Sequence, residues 1–214
     1  MPDYPEIRDS NRHVYDSLAA QYEAKAWARI PSAVRRARFL AGLVPPESRV
    51  LDVGCGVGLT MAEFDRLGFD VTGLDLSPQM ARLTQARNPT CQVLIGDFLD
   101  LTLPHSYELI LAQAFIHLFP VERSAALFQR FRTCVTPGGV LSVCTNVSVS
   151  SAQGWSVKDD YHLPTPRFKK FWRREEVWAA LTDNGFTVID ERQTVDIRGK
   201  HFLEVCARRD RLTG

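Results

Sequence analysis

The sequence is poor in lysine and has no long apolar run. Of its 26 basic side chains only 5 are lysine, and 25 acidic ones nearly balance them, leaving a formal net charge of +1. Charges of both signs are interspersed, so no basic patch marks a nucleic-acid or anionic-lipid surface, and a small-molecule partner is expected instead. The arginine bias reflects GC-rich codons, as of a bacterial source, more than function. The five cysteines (Cys55, Cys91, Cys134, Cys144, Cys206) are odd in number and lack C-x-x-C spacing. Neither a disulfide framework nor a zinc site is therefore expected, and a reducing cytoplasm fits. Nowhere do about 18 apolar residues run together, and no apolar segment follows a basic start, so neither a membrane span nor export is expected. The 214 residues suffice for one domain with a real core.

Apolar residues recur at helical spacing through Val14, Leu18 and Tyr22, with Asp9 or Ser10 as cap, and predict an N-terminal amphipathic helix. A second helix is expected over 33–43, stopped by Pro45-Pro46. Strand-like runs follow at 49–53, 70–74, 92–95, 108–111, 140–145, 187–190 and 201–207, with helical patterns at 59–67, 78–87, 121–134 and 175–182. This alternation implies parallel crossovers and a doubly wound α/β sheet with helices on both faces. The short connection at 191–200 leaves room only for an antiparallel final pair. The single domain then divides into an N-terminal helical cap at 1–45, a core at 46–145, an irregular segment at 146–172, and a closing helix with an antiparallel strand pair at 173–214. The irregular segment is rich in serine, then in aromatics (Trp155, Tyr161, Phe168, Phe171, Trp172), which argues for a functional loop over disorder.

The stretch Val50-Leu51-Asp52-Val53-Gly54-Cys55-Gly56-Val57-Gly58 is an apolar strand running into a glycine turn that opens a helix. Glycines there let the backbone approach a ligand closely, and a helix N-terminus favours an anionic group. Leu59 stands where a dinucleotide fingerprint requires its last glycine, which disfavours a nicotinamide oxidoreductase. Asp75 lies 23 residues beyond Asp52 at the end of the second strand, placed to accept both hydroxyls of a ribose. After the third strand comes Asp97, able to accept from an adenine amino group, beside Phe98, able to stack. Three acids at the ends of three successive parallel strands converge on the crevice where such sheets bind ligands.

Asp52-Val53-Gly54-Cys55-Gly56, Gly73-Leu74-Asp75-Leu76-Ser77, Gly96-Asp97-Phe98 and Pro137-Gly138-Gly139 resemble the successive motifs of class I S-adenosylmethionine-dependent methyltransferases of the small-molecule type, over roughly residues 15–208. The resemblance implies a seven-stranded sheet with the last strand antiparallel and S-adenosylmethionine as cofactor. It implies that Asp52, Gly54 and Gly56 line the methionine end, with Gln113 nearby. It also implies that Asp75 holds the ribose, that Leu76, Asp97 and Phe98 surround the adenine, and that Cys55 and Met80 belong to the same cofactor site. The expected reaction is methyl transfer to O or N of a small acceptor, as in bacterial secondary metabolism, by a cytoplasmic monomer or homodimer. Rival readings are a tRNA or protein methyltransferase, and a non-catalytic cofactor-binding module.

Other residues carry two readings. His117 follows the fourth strand and is either a general base or a packing histidine. Tyr15 and Tyr22, seven apart, are core packing or a lid over the cofactor. In the irregular segment, Tyr161, His162 and Trp172 are expected to meet the acceptor, while Asp159 and Asp160 are either a base or a solvated pair. Gln113, Asn146 and the Asp159-Asp160 pair make no convincing octahedral oxygen set, so no metal is expected.

Overall fold

The computed structural model describes residues 3–157, 166–196 and 199–211. Strands β1 (Arg49–Val53), β2 (Asp70–Asp75), β3 (Gln92–Ile95), β4 (Tyr107–Gln113), β5 (Val135–Val147), β8 (Phe186–Val195) and β9 (His201–Arg209) form one sheet in the order β3-β2-β1-β4-β5-β9-β8. The first five pair in parallel, and β9 runs antiparallel to both β5 and β8. This is the expected doubly wound, seven-stranded α/β sheet.

Strand alternation supplies both faces with a core. Leu51, Val53, Ile110, Ala112, Leu141, Val143, Leu203 and Val205 point to one face, against Leu127, Phe128 and Phe131 of α5 (Ser124–Cys134) and Val177 and Leu181 of α6 (Arg174–Thr182). Val50, Val71, Leu109, Leu111, Val140 and Cys206 point to the other, against Ala37 and Leu40 of α2 (Ile30–Ala41) and Met61 and Phe64 of α3 (Leu59–Arg66). By the same alternation Asp52, Gln113, Cys144 and Glu204 belong to the α2 face.

Three expectations about elements are corrected. The first helix, α1 (Tyr4–Ala24), begins five residues before the earliest expected cap, because Asp3 accepts from Glu6 N at 2.9 Å and Pro5 sits in the first turn. The described residues of 146–172 are not irregular: β6 (Ala152–Val157) and β7 (Pro166–Phe171) pair antiparallel as a separate two-stranded sheet. Its pattern is hard to read from sequence because the buried positions of β7 include Lys169 and Lys170 beside Phe168. Lys170 is accommodated by Ser151 Oγ at 2.9 Å and Glu176 at 3.3 Å. Finally, Pro137-Gly138-Gly139 lies inside β5, where the register with β4 shifts and a Cβ on Gly139 would stand 2.9 Å from the Glu108 carbonyl oxygen.

Helix α1 crosses the C-terminal ends of the parallel strands and packs on α4 (Pro78–Arg87) and β7. Asp16 accepts from Ser77 Oγ at 2.5 Å and Gln79 N at 3.1 Å, Asn11 donates to Leu118 O at 3.2 Å, and Phe168 N donates to Asn11 Oδ1 at 3.0 Å. The middle of the cap is thereby tied to the loops above the sheet and to β7.

Candidate active site

Beneath that cap lies a cavity of about 810 Å³, within the ~300–1,000 Å³ range of small-molecule sites. Its floor is the turn after β1. Gly54, Gly56 and Gly58 all have positive φ, and Gly58 opens α3. A Cβ on Gly54 would lie 2.7 Å from the Phe115 ring, whereas one on Gly56 would meet nothing within 4 Å and would enter the cavity. The first glycine is required by packing, the second by the free space above it.

Asp75 ends β2 beside this turn. One of its oxygens accepts from Gly56 N and the other from Ser77 N, each at 2.9 Å. That fixes the carboxylate and leaves each oxygen capacity for a further donor. Burial pushes its acid up to about 6 despite those two bonds. Asp52, buried at the end of β1, is pushed up to about 7 by burial, with Asp75 adding to the shift and the Arg36 guanidinium opposing it. Past β3, Asp97 accepts from Leu99 N at 3.0 Å and from the Tyr4 hydroxyl at 2.6 Å. Phe98 is packed edge-on to Phe115, with centroids 6.1 Å apart.

All twelve residues assigned from the sequence to a cofactor border this cavity: Tyr15, Tyr22, Asp52, Gly54, Cys55, Gly56, Asp75, Leu76, Met80, Asp97, Phe98 and Gln113. Tyr15 and Tyr22 form an edge-to-face pair 6.0 Å apart on the cavity side of α1, and Arg167 of β7 donates to the Tyr15 hydroxyl. Gln113 Nε2 donates to Ser142 Oγ at 3.3 Å, while its buried Oε1 has no hydrogen-bond partner. A buried acceptor at a cavity wall is suited to a ligand's N–H.

The residues proposed for chemistry and for the acceptor fare differently. His117 sits in a short turn at Ile116–Leu118, buried, and is absent from the cavity wall. Trp172 is also buried away from it, edge-on to Phe128 at 6.1 Å in the main core. No described residue of 146–172 lines the cavity. The hairpin instead braces α1, through Arg167 on the Tyr15 hydroxyl and Phe168 N on Asn11 Oδ1. Tyr161 and His162, with Asp159 and Asp160, lie outside the described residues. Among the described residues, no cluster of three His, Cys, Asp or Glu side chains could hold a metal ion.

Sequence reasoning missed Tyr4, Arg36 and Glu204, which all border the cavity. Tyr4 fell before the expected helix start. Arg36 did leave a signal, because it shares a helix face with the buried Ala33 and Leu40. Glu204 is the acidic member of the Phe202, Glu204, Cys206 face of β9.

Residues 50–139 match a family model described as a methyltransferase domain. Magnesium-protoporphyrin O-methyltransferase of Rhodobacter capsulatus is 36% identical over 108 residues, 42% of this chain and 46% of that protein. An uncharacterised methyltransferase of Mycobacterium tuberculosis is 34% identical over 120 residues, 54% of this chain and 60% of that one. The chain thus spans about half the length of these curated relatives. Among solved structures, 1,6-didemethyltoxoflavin-N1-methyltransferase of Burkholderia thailandensis, bound to 1,6-didemethyltoxoflavin and S-adenosylhomocysteine, superposes with a TM-score of 0.78 at 20% identity, covering 98% of this chain and 92% of that one. At that identity the likeness speaks for the fold.

Proposed function

We propose that this chain, a member of the class I S-adenosylmethionine-dependent methyltransferase family, transfers a methyl group from S-adenosylmethionine to a nitrogen or oxygen atom of a small-molecule acceptor. The observation that carries this reading is the set of Asp52, Asp75 and Asp97, which border one cavity together with the glycine turn. The open space at Gly56 and the unsatisfied Oε1 of Gln113 support the same ligand. Bound S-adenosylmethionine would supply an electrophilic methyl group.

The chain's own work is then binding and alignment. Asp75 would hold the ribose hydroxyls, with Leu76, Met80, Asp97 and Phe98 around the adenine. Asp52, Gly54, Cys55, Gly56 and Gln113 would meet the methionine end, and Tyr15 and Tyr22 would close over it. The cavity wall left over by the cofactor, which includes Thr194 and Phe202, would receive the acceptor. Its mix of apolar and polar groups supports a compact, polar organic molecule. The buried placement of His117 favours the packing reading over the general base. The five cysteines, all free and buried, support a reducing compartment such as the cytoplasm. The relatives named above carry O- and N-methyltransferase descriptions, and both atoms belong in the acceptor screen.

Calorimetric titration with S-adenosylmethionine and S-adenosylhomocysteine tests the binding half. An Asp75→Ala variant should weaken both by roughly tenfold to a hundredfold, the scale of lost hydrogen bonds to a charged group. Mass spectrometry of amine and hydroxyl panels incubated with S-adenosylmethionine tests the transfer half. Absence of binding by the unchanged protein would sink the proposal.

A further inference from the structure

The cavity contains an ion pair that the cofactor assignment leaves unused. Arg36 of α2 donates to Glu204 Oε1 across 168 residues. Both side chains border the cavity. Register fixes Glu204 at the rim: Gln113 pairs with Cys144 on β4 and β5, and Cys144 pairs with Glu204 on β5 and β9. These three therefore form one row across the sheet on the α2 face. The Cys144 thiol, pushed up to about 12 by burial with the Glu204 carboxylate adding to it, reports the same neighbourhood. From the other side, the Arg36 charge reaches Asp52 at the glycine turn.

The methionine end of S-adenosylmethionine is a zwitterion, and burying it calls for an acid opposite the ammonium and a cation opposite the carboxylate. Asp52 and Gln113 Oε1 answer the first need. Arg36 borders the cavity and reaches the row of Gln113, Cys144 and Glu204, so it answers the second, and its guanidinium is already engaged by a carboxylate. Resting on the methyltransferase reading, we propose that Glu204 occupies on Arg36 the seat of the cofactor's own carboxylate, and that cofactor binding exchanges one carboxylate for the other. The methionine subsite is thereby self-occupied: Arg36 keeps a partner when the cofactor is absent, and the cofactor's carboxylate binds in competition with a side chain.

Competition predicts a selective gain when Glu204 is neutralised. Calorimetry would compare S-adenosylhomocysteine, which has the carboxylate, with 5′-methylthioadenosine, which lacks the whole amino-acid end, on the unchanged protein and on Glu204→Gln and Arg36→Gln. Glu204→Gln should tighten S-adenosylhomocysteine by about threefold to tenfold, the worth of a partly exposed ion pair, and leave methylthioadenosine unchanged. Arg36→Gln should weaken S-adenosylhomocysteine at least about tenfold, again sparing methylthioadenosine. The methylthioadenosine arm also reports whether each variant is folded. If Glu204→Gln binds S-adenosylhomocysteine no more tightly, or shifts both ligands alike, the pair is a structural brace between α2 and β9 and the exchange is overturned. If the unchanged protein binds neither ligand, the methyltransferase reading falls and this inference with it.

Discussion

The Tyr4 hydroxyl donates to Asp97 Oδ2 at 2.6 Å and so fastens the first turn of α1 to the acid behind β3. Burial and the Asp97 bond both make the phenol a weaker acid, so the proton stays on Tyr4. The ring stacks on Phe119 at 5.8 Å, and Arg123 lies over its other side at 5.0 Å from the centroid. Tyr4 is therefore the latch at the N-terminal end of the cap.

Removing only the hydroxyl, in Tyr4→Phe, keeps the ring packing and deletes a bond to a charged acceptor. A loss of about 1.5–3 kcal/mol in urea unfolding is expected. Hydrogen exchange at the first turns of α1 should accelerate more than in the sheet. Unchanged protection there would show that helix packing alone holds the cap in place.

The glycine turn offers a pair of substitutions with opposite diagnoses. Gly54→Ala places a methyl 2.7 Å from the Phe115 ring, itself packed against Phe98 and Phe119, so the ring cannot swing aside cheaply. It should cost about 1–3 kcal/mol by overpacking, added to about 1–2 for the left-handed backbone. Gly56→Ala carries only the backbone cost, since no atom lies within 4 Å of its new methyl. It should fold and yet lose at least about tenfold in affinity for S-adenosylhomocysteine, because the methyl stands in the ligand's space. Equal binding by Gly56→Ala and the unchanged protein would place the ligand elsewhere.

The parts legible in the sequence were those set by backbone chemistry. Asp75 was readable because a carboxylate closing a parallel strand, just past a glycine turn, has few structural uses, and its position follows from strand length alone. The parallel sheet followed from strand and helix alternation, and its antiparallel final pair from the short last connection. Arg36 and Glu204 are 168 residues apart in sequence, and nothing local says that α2 will bring one over the other. The β6–β7 hairpin was hidden for a different reason: a strand that buries Lys169 and Lys170 breaks the apolar alternation by which strands are recognised, and partners such as Asn146, Ser151 and Glu176 help make that burial tolerable. His117 and Trp172 follow strands that end near the rim, and only the packing of the folded chain shows both buried off the cavity wall.

Asp52 makes the pH behaviour specific. Its folded value of about 7 stands above the ordinary 3.8, as does the value of about 6 for Asp75. A group with a raised folded value contributes stability below its unfolded value, and that contribution is lost as pH rises through the folded one. The ligand-free protein should therefore lose stability between about pH 4 and 7, on the scale of about 1.4 kcal/mol for each tenfold by which folding weakens the acid. Glu63, held at about 2 by Arg66 and Arg38, acts in the opposite sense, but only below its ordinary 4.5. Urea unfolding of the unchanged protein and of Asp52→Asn at pH 5 and pH 8 isolates the effect, and the variant's decline should be the shallower of the two. Ligand binding should run the other way. An ionised Asp52 is the form that meets the cofactor's ammonium, so affinity for S-adenosylhomocysteine should climb as pH passes 7, and Asp52→Asn should abolish the climb. If the variant shows the same pH profile in both measurements, Asp52 is neither the titrating group nor the ammonium's partner.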